Sequence, residues 1–383
     1  MNKNLMTFIA VALALAVFAA IALRQESVTV SNQDAGNKIF PGLISKVNDV
    51  ALISVQKDAQ TLTIKRNDNQ WQVVDKDGYP ANITKVKQTI LGIADFETVE
   101  AKTKKPENYK QLDVDDKASV VTLQDAANQT LASLILGKVI DGGFSANSKA
   151  KMYVRKKDDA QVWLVKGELH AEPVATDWLA DDIMNIDAER VQRVSIQSAD
   201  NKSYSITKNL AEDKHFALTE IPKGKQLKSE TSADELARAL QGLRLADVQK
   251  AGKVEFNPEK TSHAEYQTFD GLVVSADITE NENKKYVKLS ARFDPAVRKE
   301  PAAEVKTDAA KDNAVATSTT AANPHDKPAS PDAPPAKPLK EISAVQQEAA
   351  ELNEKLSPWV FTLPQNKTLL MQKAEADLLK DAK

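Results

Sequence analysis

The chain has 383 residues, 42% of them apolar, enough for more than one hydrophobic core. Its 51 lysines and arginines stand against 54 aspartates and glutamates; the net charge of -3 offers no basic field for tracking phosphates and argues against nucleic acid as a partner. It has no cysteine, which excludes disulfides, thiolate nucleophiles, iron–sulfur clusters and lipid attachment at an N-terminal cysteine.

The first element is apolar. After Lys3 the run LMTFIAVALALAVFAAIAL (5–23) carries no charge and ends at Arg24. At about 1.5 Å per residue such a helix reaches the thickness of a hydrocarbon core, and it is longer than the usual core of a cleaved signal. We read 1–24 as a signal-anchor and transmembrane helix, and 25–43 as a linker. A cleaved signal with its site at Ala20 and Ala22 stays open, and either way the body is exported. Lys3 against Arg24 gives only a small orientation bias.

Next come three alternating or β-branched runs, LISVQ (52–56), TLTIK (61–65) and QWQVV (70–74), separated by polar turns that include Asn67, Asp68 and Asn69. They read as a strand meander. In ITKVKQTILGIADFETVE (83–100), Ile83, Val86, Ile90 and Ile93 recur at helical spacing and predict a helix over 83–94. ASVVTLQDAANQTLASLILGK (118–138) reads as a hairpin, KMYVRKKDDAQVWLV (151–165) as a further strand pair, and the acidic ATDWLADDIMNI (175–186) as a helix.

The series then repeats. RVSIQ (193–197), SYSIT (203–207) and HFALT (215–219) precede ADELARALQGLRLADVQK (233–250), where Ala233, Leu236, Leu240 and Leu243 predict a second helix over 233–244. The hairpin GLVVSADITENENKKYVKLSAR (271–292) follows. The order predicts a tandem duplication of a β-β-β-α-β-β unit, hence an α+β fold with repeats over 44–186 and 187–294. From Pro295 to Pro338 the chain is rich in alanine, proline, lysine, aspartate and threonine and has almost no large apolar residue, so 295–340 is expected to be a disordered insertion. Beyond it, an amphipathic stretch (341–356) and PWVFTLP (358–364) should complete the second repeat over 341–383. Trp359, Val360, Phe361 and Leu363 then stand where Val162, Trp163, Leu164 and Val165 stand in the first.

No motif marks a site. The four histidines, His170, His215, His263 and His325, show no zinc spacing. Asp115–Asp116 and Asp158–Asp159 fall in expected turns, and Asp181–Asp182 on an expected exposed helix face. No G-x-S-x-G elbow, phosphate-binding glycine loop or H-E-x-x-H is present. Trp71, Trp163, Trp178 and Trp359 sit in or beside elements and read as core or interface anchors, ahead of a sugar-stacking platform. No catalytic, cofactor or metal residue is assigned.

Trp71 closing a strand, Pro80 opening toward a helix, then Tyr153, Val154 and Arg155, then Trp163 and Trp178, stand in an order that resembles the bacterial DUF4340 family over most of residues 50–290. The insertion departs from its common pattern. The resemblance implies a protein of unknown function anchored in the inner membrane, associated with an ABC exporter of the gliding-motility type. It therefore implies a single-pass protein with its body in the periplasm, a permease and an ATPase as partners, and a non-enzymatic auxiliary role through protein or polymer binding. The alternative is a cell-envelope hydrolase built on scattered acids such as Asp181 and Asp182.

Overall fold

Residues 50–73 fold as their alternation dictates, into antiparallel strands β1 (Val50–Lys57), β2 (Gln60–Asn67) and β3 (Gln70–Val73), with Ile53, Val55, Leu62 and Ile64 turned into the core. The turns between them place Asp58 and Asp68 in the left-handed region, which a short polar side chain tolerates. The computed structural model describes residues 35–140, 150–299 and 339–382. It divides after Ala180 into two compact units, earlier than the boundary expected after Ile186. The fold is α+β, mostly sheet with few helices. No helix among the described residues is long and apolar enough to cross a membrane; the run 5–23 and most of the insertion lie outside those residues.

In the first unit, β4 (Tyr79–Pro80) leads into helix α1 (Ile83–Asp95), capped by Asn82, whose side chain accepts from the Lys85 amide. Val86, Ile90 and Ile93 are buried, as their spacing requires, whereas Ile83, the first member of the expected stripe, is exposed at the helix start. Then come β5 (Glu97–Thr103), β6 (Ser119–Asp125), β7 (Thr130–Ile140), β8 (Lys151–Lys156) and β9 (Val162–Lys166). They form one nine-stranded sheet in the order β4-β3-β2-β1-β6-β7-β8-β9-β5. Residues 36–39 run along the outer edge of β5, with Gly36 N–H donating to Thr98 O at 2.7 Å and Ile39 N–H to Phe96 O at 3.0 Å.

The second unit contains β10 (Asp182–Met184), β11 (Val191–Gln197), β12 (Ser203–Thr207), β13 (Ala217–Leu218), β14 (Lys225–Leu227), helix α2 (Asp234–Ala237), β15 (Leu243–Arg244), β16 (Asp247–Lys250), β17 (Thr261–Thr268), β18 (Leu272–Asn281) and β19 (Lys284–Phe293). After 300–338 follow α3 (Ile342–Leu356), β20 (Trp359–Thr362), α4 (Gln365–Met371), α5 (Glu375–Leu378) and β21 (Leu379–Asp381). The main sheet runs β13-β12-β11-β17-β18-β19-β20-β16. With β11–β13 set against β1–β3, β16 against β5, and β17–β20 against β6–β9, this is the order of the first sheet, extended there by β4. In the first unit the strand after the helix, β5, crosses to the far edge; in the second β15 comes first and pairs with β10, and the next strand, β16, takes the far edge.

Three expectations need correction. The second helix is one α turn followed by a 3-10 turn (Arg238–Leu240), because Gly242 takes φ 54° and gives its amide to Asn185 Oδ1, which ends the helix; Leu243 begins a strand instead. Residues 175–186 are a 3-10 turn (Ala175–Trp178) and the strand β10, which pairs with β15, rather than a helix; burial of Trp178 and pairing override the helical pattern. By sheet position the hairpin 271–292 corresponds to β7 and β8, and the counterpart of 118–138 is β17 with β18.

Candidate functional site

The residues singled out in the sequence are dispersed. Asp115 Oδ1 accepts from the Lys117 amide at 3.2 Å and Asp159 Oδ1 from the Gln161 amide at 3.0 Å, the turn chemistry expected of them. Asp181 and Asp182 lie at the start of β10, not on a helix, and both pair with Arg244, at 3.6 and 3.1 Å. His215 Nδ1 meets Asp234 Oδ2 at 2.7 Å, and His263 Nδ1 meets Asp277 Oδ1 at 2.7 Å. His325 lies outside the described residues. Trp178 and Trp359 are buried, and the Trp178 indole donates to the Glu172 carbonyl at 3.1 Å, as an anchor should.

One cleft gathers polar groups that no motif announced. It lies in the first unit, about 320 Å³ in volume, where the end of β1, the loop 113–118, the start of β6, the middle of β7 and the segment 169–172 converge. Its rim carries Asp113, Asp115, Lys117 and the exposed His170, and Lys57 closes one side through an ion pair with Glu172 at 2.9 Å. Aliphatic groups from Ala118, Leu136, Leu169 and Ala171 line the rest. Gly137 lets the preceding loop press onto β7: a Cβ there would lie 2.5 Å from both Leu112 O and Val114 Cγ1. Ser119, the first residue of β6, borders the cleft, is buried, and has a hydroxyl without a hydrogen-bond partner. Among the described residues no group of three or more acidic, histidine or cysteine side chains is placed to hold a metal ion.

The sheets present a second kind of surface. In cross-strand register the first carries Thr63, Ser54, Thr122 and Ser133, with Thr122 Oγ1 and Ser133 Oγ 2.9 Å apart. The second carries Ser205, Ser195, Glu265, Ser275 and Ser290 at matching places, with Ser195 Oγ and Ser205 Oγ 2.9 Å apart. These side chains are half-buried or exposed, so each sheet shows a polar, hydroxyl-bearing face opposite its apolar one.

A family model described as a domain of unknown function, DUF4340, matches residues 71–267, from Trp71 on β3 through β17. No curated protein and no solved structure matches the chain. The match spans more than half of the chain and both units, takes in the cleft apart from Lys57, and shows that the chain belongs to the DUF4340 family.

Proposed function

We propose that this chain is a non-enzymatic, single-pass inner-membrane protein whose two periplasmic units, products of an internal duplication, serve an ABC-type transport system of the gliding-motility kind by binding a partner protein or a polymer. The observation that carries the reading is the pair of sheets with one strand order, each offering a row of polar side chains in register, hydroxyl-bearing except at Glu265. Repetition of one polar face suits contact with an extended or repeating partner. The uncharged run 5–23 supports the anchor, and the path of residues 36–39 along β5 gives it a geometry. The stretch from Arg24 to Gly36 reaches at most about 40 Å, so the β5 edge stays within that distance of the bilayer.

The test is purification of the tagged full chain from detergent-solubilised membranes, with the bound proteins identified. Recovery of an ATPase and a polytopic permease is the expected result, and their absence under conditions that keep other membrane complexes intact overturns the role. A reporter fused at Lys383 checks the topology: activity confined to the cytoplasm removes it.

A further inference from the structure

Ser119 opens β6 on the face that carries Val121 and Leu123; it is 5% exposed and lines the cleft, and its hydroxyl, buried just beneath the surface, has no hydrogen-bond partner, so a turn about its one side-chain bond is all that presents it to the cleft. A buried hydroxyl left without a hydrogen bond opposes folding, which marks the position as one that a bound group can satisfy. The second unit holds the same position. Ser119 pairs with Leu136, two places from the Val121–Leu134 pair; Ser262 pairs with Ile278, two places from the Ala264–Ala276 pair. Counting from Ser54–Thr122 in one sheet and Ser195–Glu265 in the other gives the same equivalence.

At Ser262, 6% exposed, the protein provides the partner itself. The carboxamide of Gln372, just past α4, donates through Nε2 to Ser262 Oγ at 2.6 Å and accepts from Lys285 Nζ at 2.6 Å. In the first unit the segment that follows β9 brings Leu169–Glu172 to the cleft and has no amide side chain there.

We propose that the cleft binds a neutral sugar unit bearing an acylamino group, whose amide N–H donates to Ser119 Oγ as the Gln372 carboxamide does to Ser262. Leu136 and Leu169, beside Ser119, offer aliphatic surface for the acyl methyl. Asp113 and Asp115 accept from ring hydroxyls while Lys117 donates to an oxygen, and this rim of mixed sign suits a neutral polyol better than a phosphate. The volume equals the share of about ten waters, room for one or two rings. A peptide also carries amides, but one added as a strand needs a free edge, and β6 and β7 are both interior strands of their sheet. Sugar binding and the transport role stand or fall separately: a chain that binds the sugar but recovers no transporter keeps the first and loses the second.

The experiment is calorimetric titration of the full chain in detergent with N,N′-diacetylchitobiose, cellobiose and N-acetylglycinamide. Diacetylchitobiose is expected to bind, with cellobiose and Ser119→Ala each weaker by about fivefold to tenfold, the size of one neutral hydrogen bond. Ser262→Ala should bind like the parent. Asp113→Asn, on the exposed rim, is the second variant and should also weaken binding, so a poorly folded Ser119→Ala leaves the test intact. No binding of diacetylchitobiose, equal binding of the two disaccharides, unchanged affinity in a folded Ser119→Ala or in Asp113→Asn, or a preference for N-acetylglycinamide overturns the assignment.

Discussion

Arg298 donates through Nη1 to the Lys340 carbonyl at 2.9 Å and to the Asp270 carbonyl at 3.0 Å, so the two ends of the stretch between Arg298 and Lys340 meet at the β17–β18 turn. A neck closed in this way holds both ends whatever lies between them. Replacing 300–336 by a short glycine–serine loop is therefore expected to leave the melting temperature of a soluble chain almost unchanged, since closure entropy shifts by only about 0.6 kcal/mol per doubling of length. Truncation after Lys340 removes β20 with the buried Trp359, Val360 and Phe361, each contributing about 1.5–3 kcal/mol, and should abolish cooperative melting of the second unit. Two thermal melts beside the parent decide it: a truncated chain that melts like the parent defeats the prediction.

A four-residue ion network of Arg190, Asp270, Lys340 and Glu348 anchors α3 next to this neck. Arg190 Nε donates to Asp270 Oδ2 at 2.8 Å, and its two terminal nitrogens reach Glu348 at 2.7 and 2.6 Å. Burial acts to raise the Glu348 pKa, but hydrogen bonds from Arg190 and Lys340 and their charges outweigh it and hold the carboxyl below its ordinary value. A lowered folded pKa means that the contribution is fully present above the unfolded value of about 4.3 and is lost as pH falls through the folded one. Glu348→Gln should cost about 1–3 kcal/mol at pH 7 and progressively less below pH ~4, read from urea unfolding. The same loss at both pH values would sink the linkage.

His263 behaves with the opposite sign. Its hydrogen bond to Asp277 raises the imidazole pKa, burial opposes this, Asp277 and Glu265 add attraction, and Arg292 subtracts from it. The contribution is whole below the unfolded pKa of about 6.5 and disappears as pH rises through the raised folded value. Both side chains are some two-fifths exposed, at 40% and 42%, so solvent screening keeps the effect below about 1 kcal/mol. An NMR titration of the His263 ring should give a midpoint above the free value, and a midpoint at or below it rejects the pairing.

The two serines should part company in stability as well. Ser119→Ala removes an unpartnered buried hydroxyl and is expected to leave unfolding of the ligand-free chain unchanged or to raise its midpoint. Ser262→Ala strips Gln372 Nε2 of its acceptor and should cost about 1 kcal/mol. Chemical denaturation of both variants checks this, and equal destabilisation would mean that the two hydroxyls have equivalent surroundings.

Legibility followed the strength of the apolar pattern. Val50–Lys57, Gln60–Asn67 and the α1 stripe were readable because Ile53, Val55, Ile64 and Ile90 alternate or recur with large side chains. β17 was missed, because its buried face is Ser262, Ala264, Tyr266 and Thr268, small or polar groups that look like surface. Missing it shifted the hairpin correspondence by one strand. The cleft has no local motif: only register and the return of 169–172 bring Ser119 beside Leu169 and Asp113. The available hint was a serine standing in an apolar place of the alternation Ser119, Val121, Leu123.

β16 has a single neighbour in its sheet, β20, and β20 is drawn from the last residues of the chain. Synthesis proceeds from the amino end, so the first unit has all of its strands as soon as β9 emerges, whereas the second waits, with β19 and β16 unjoined, until Thr362 has been made. A ribosome stall that ends the chain anywhere in 300–358 thus leaves a finished first unit carrying an open sheet with bare edges, the kind of surface that quality-control proteases and stray strands recognise.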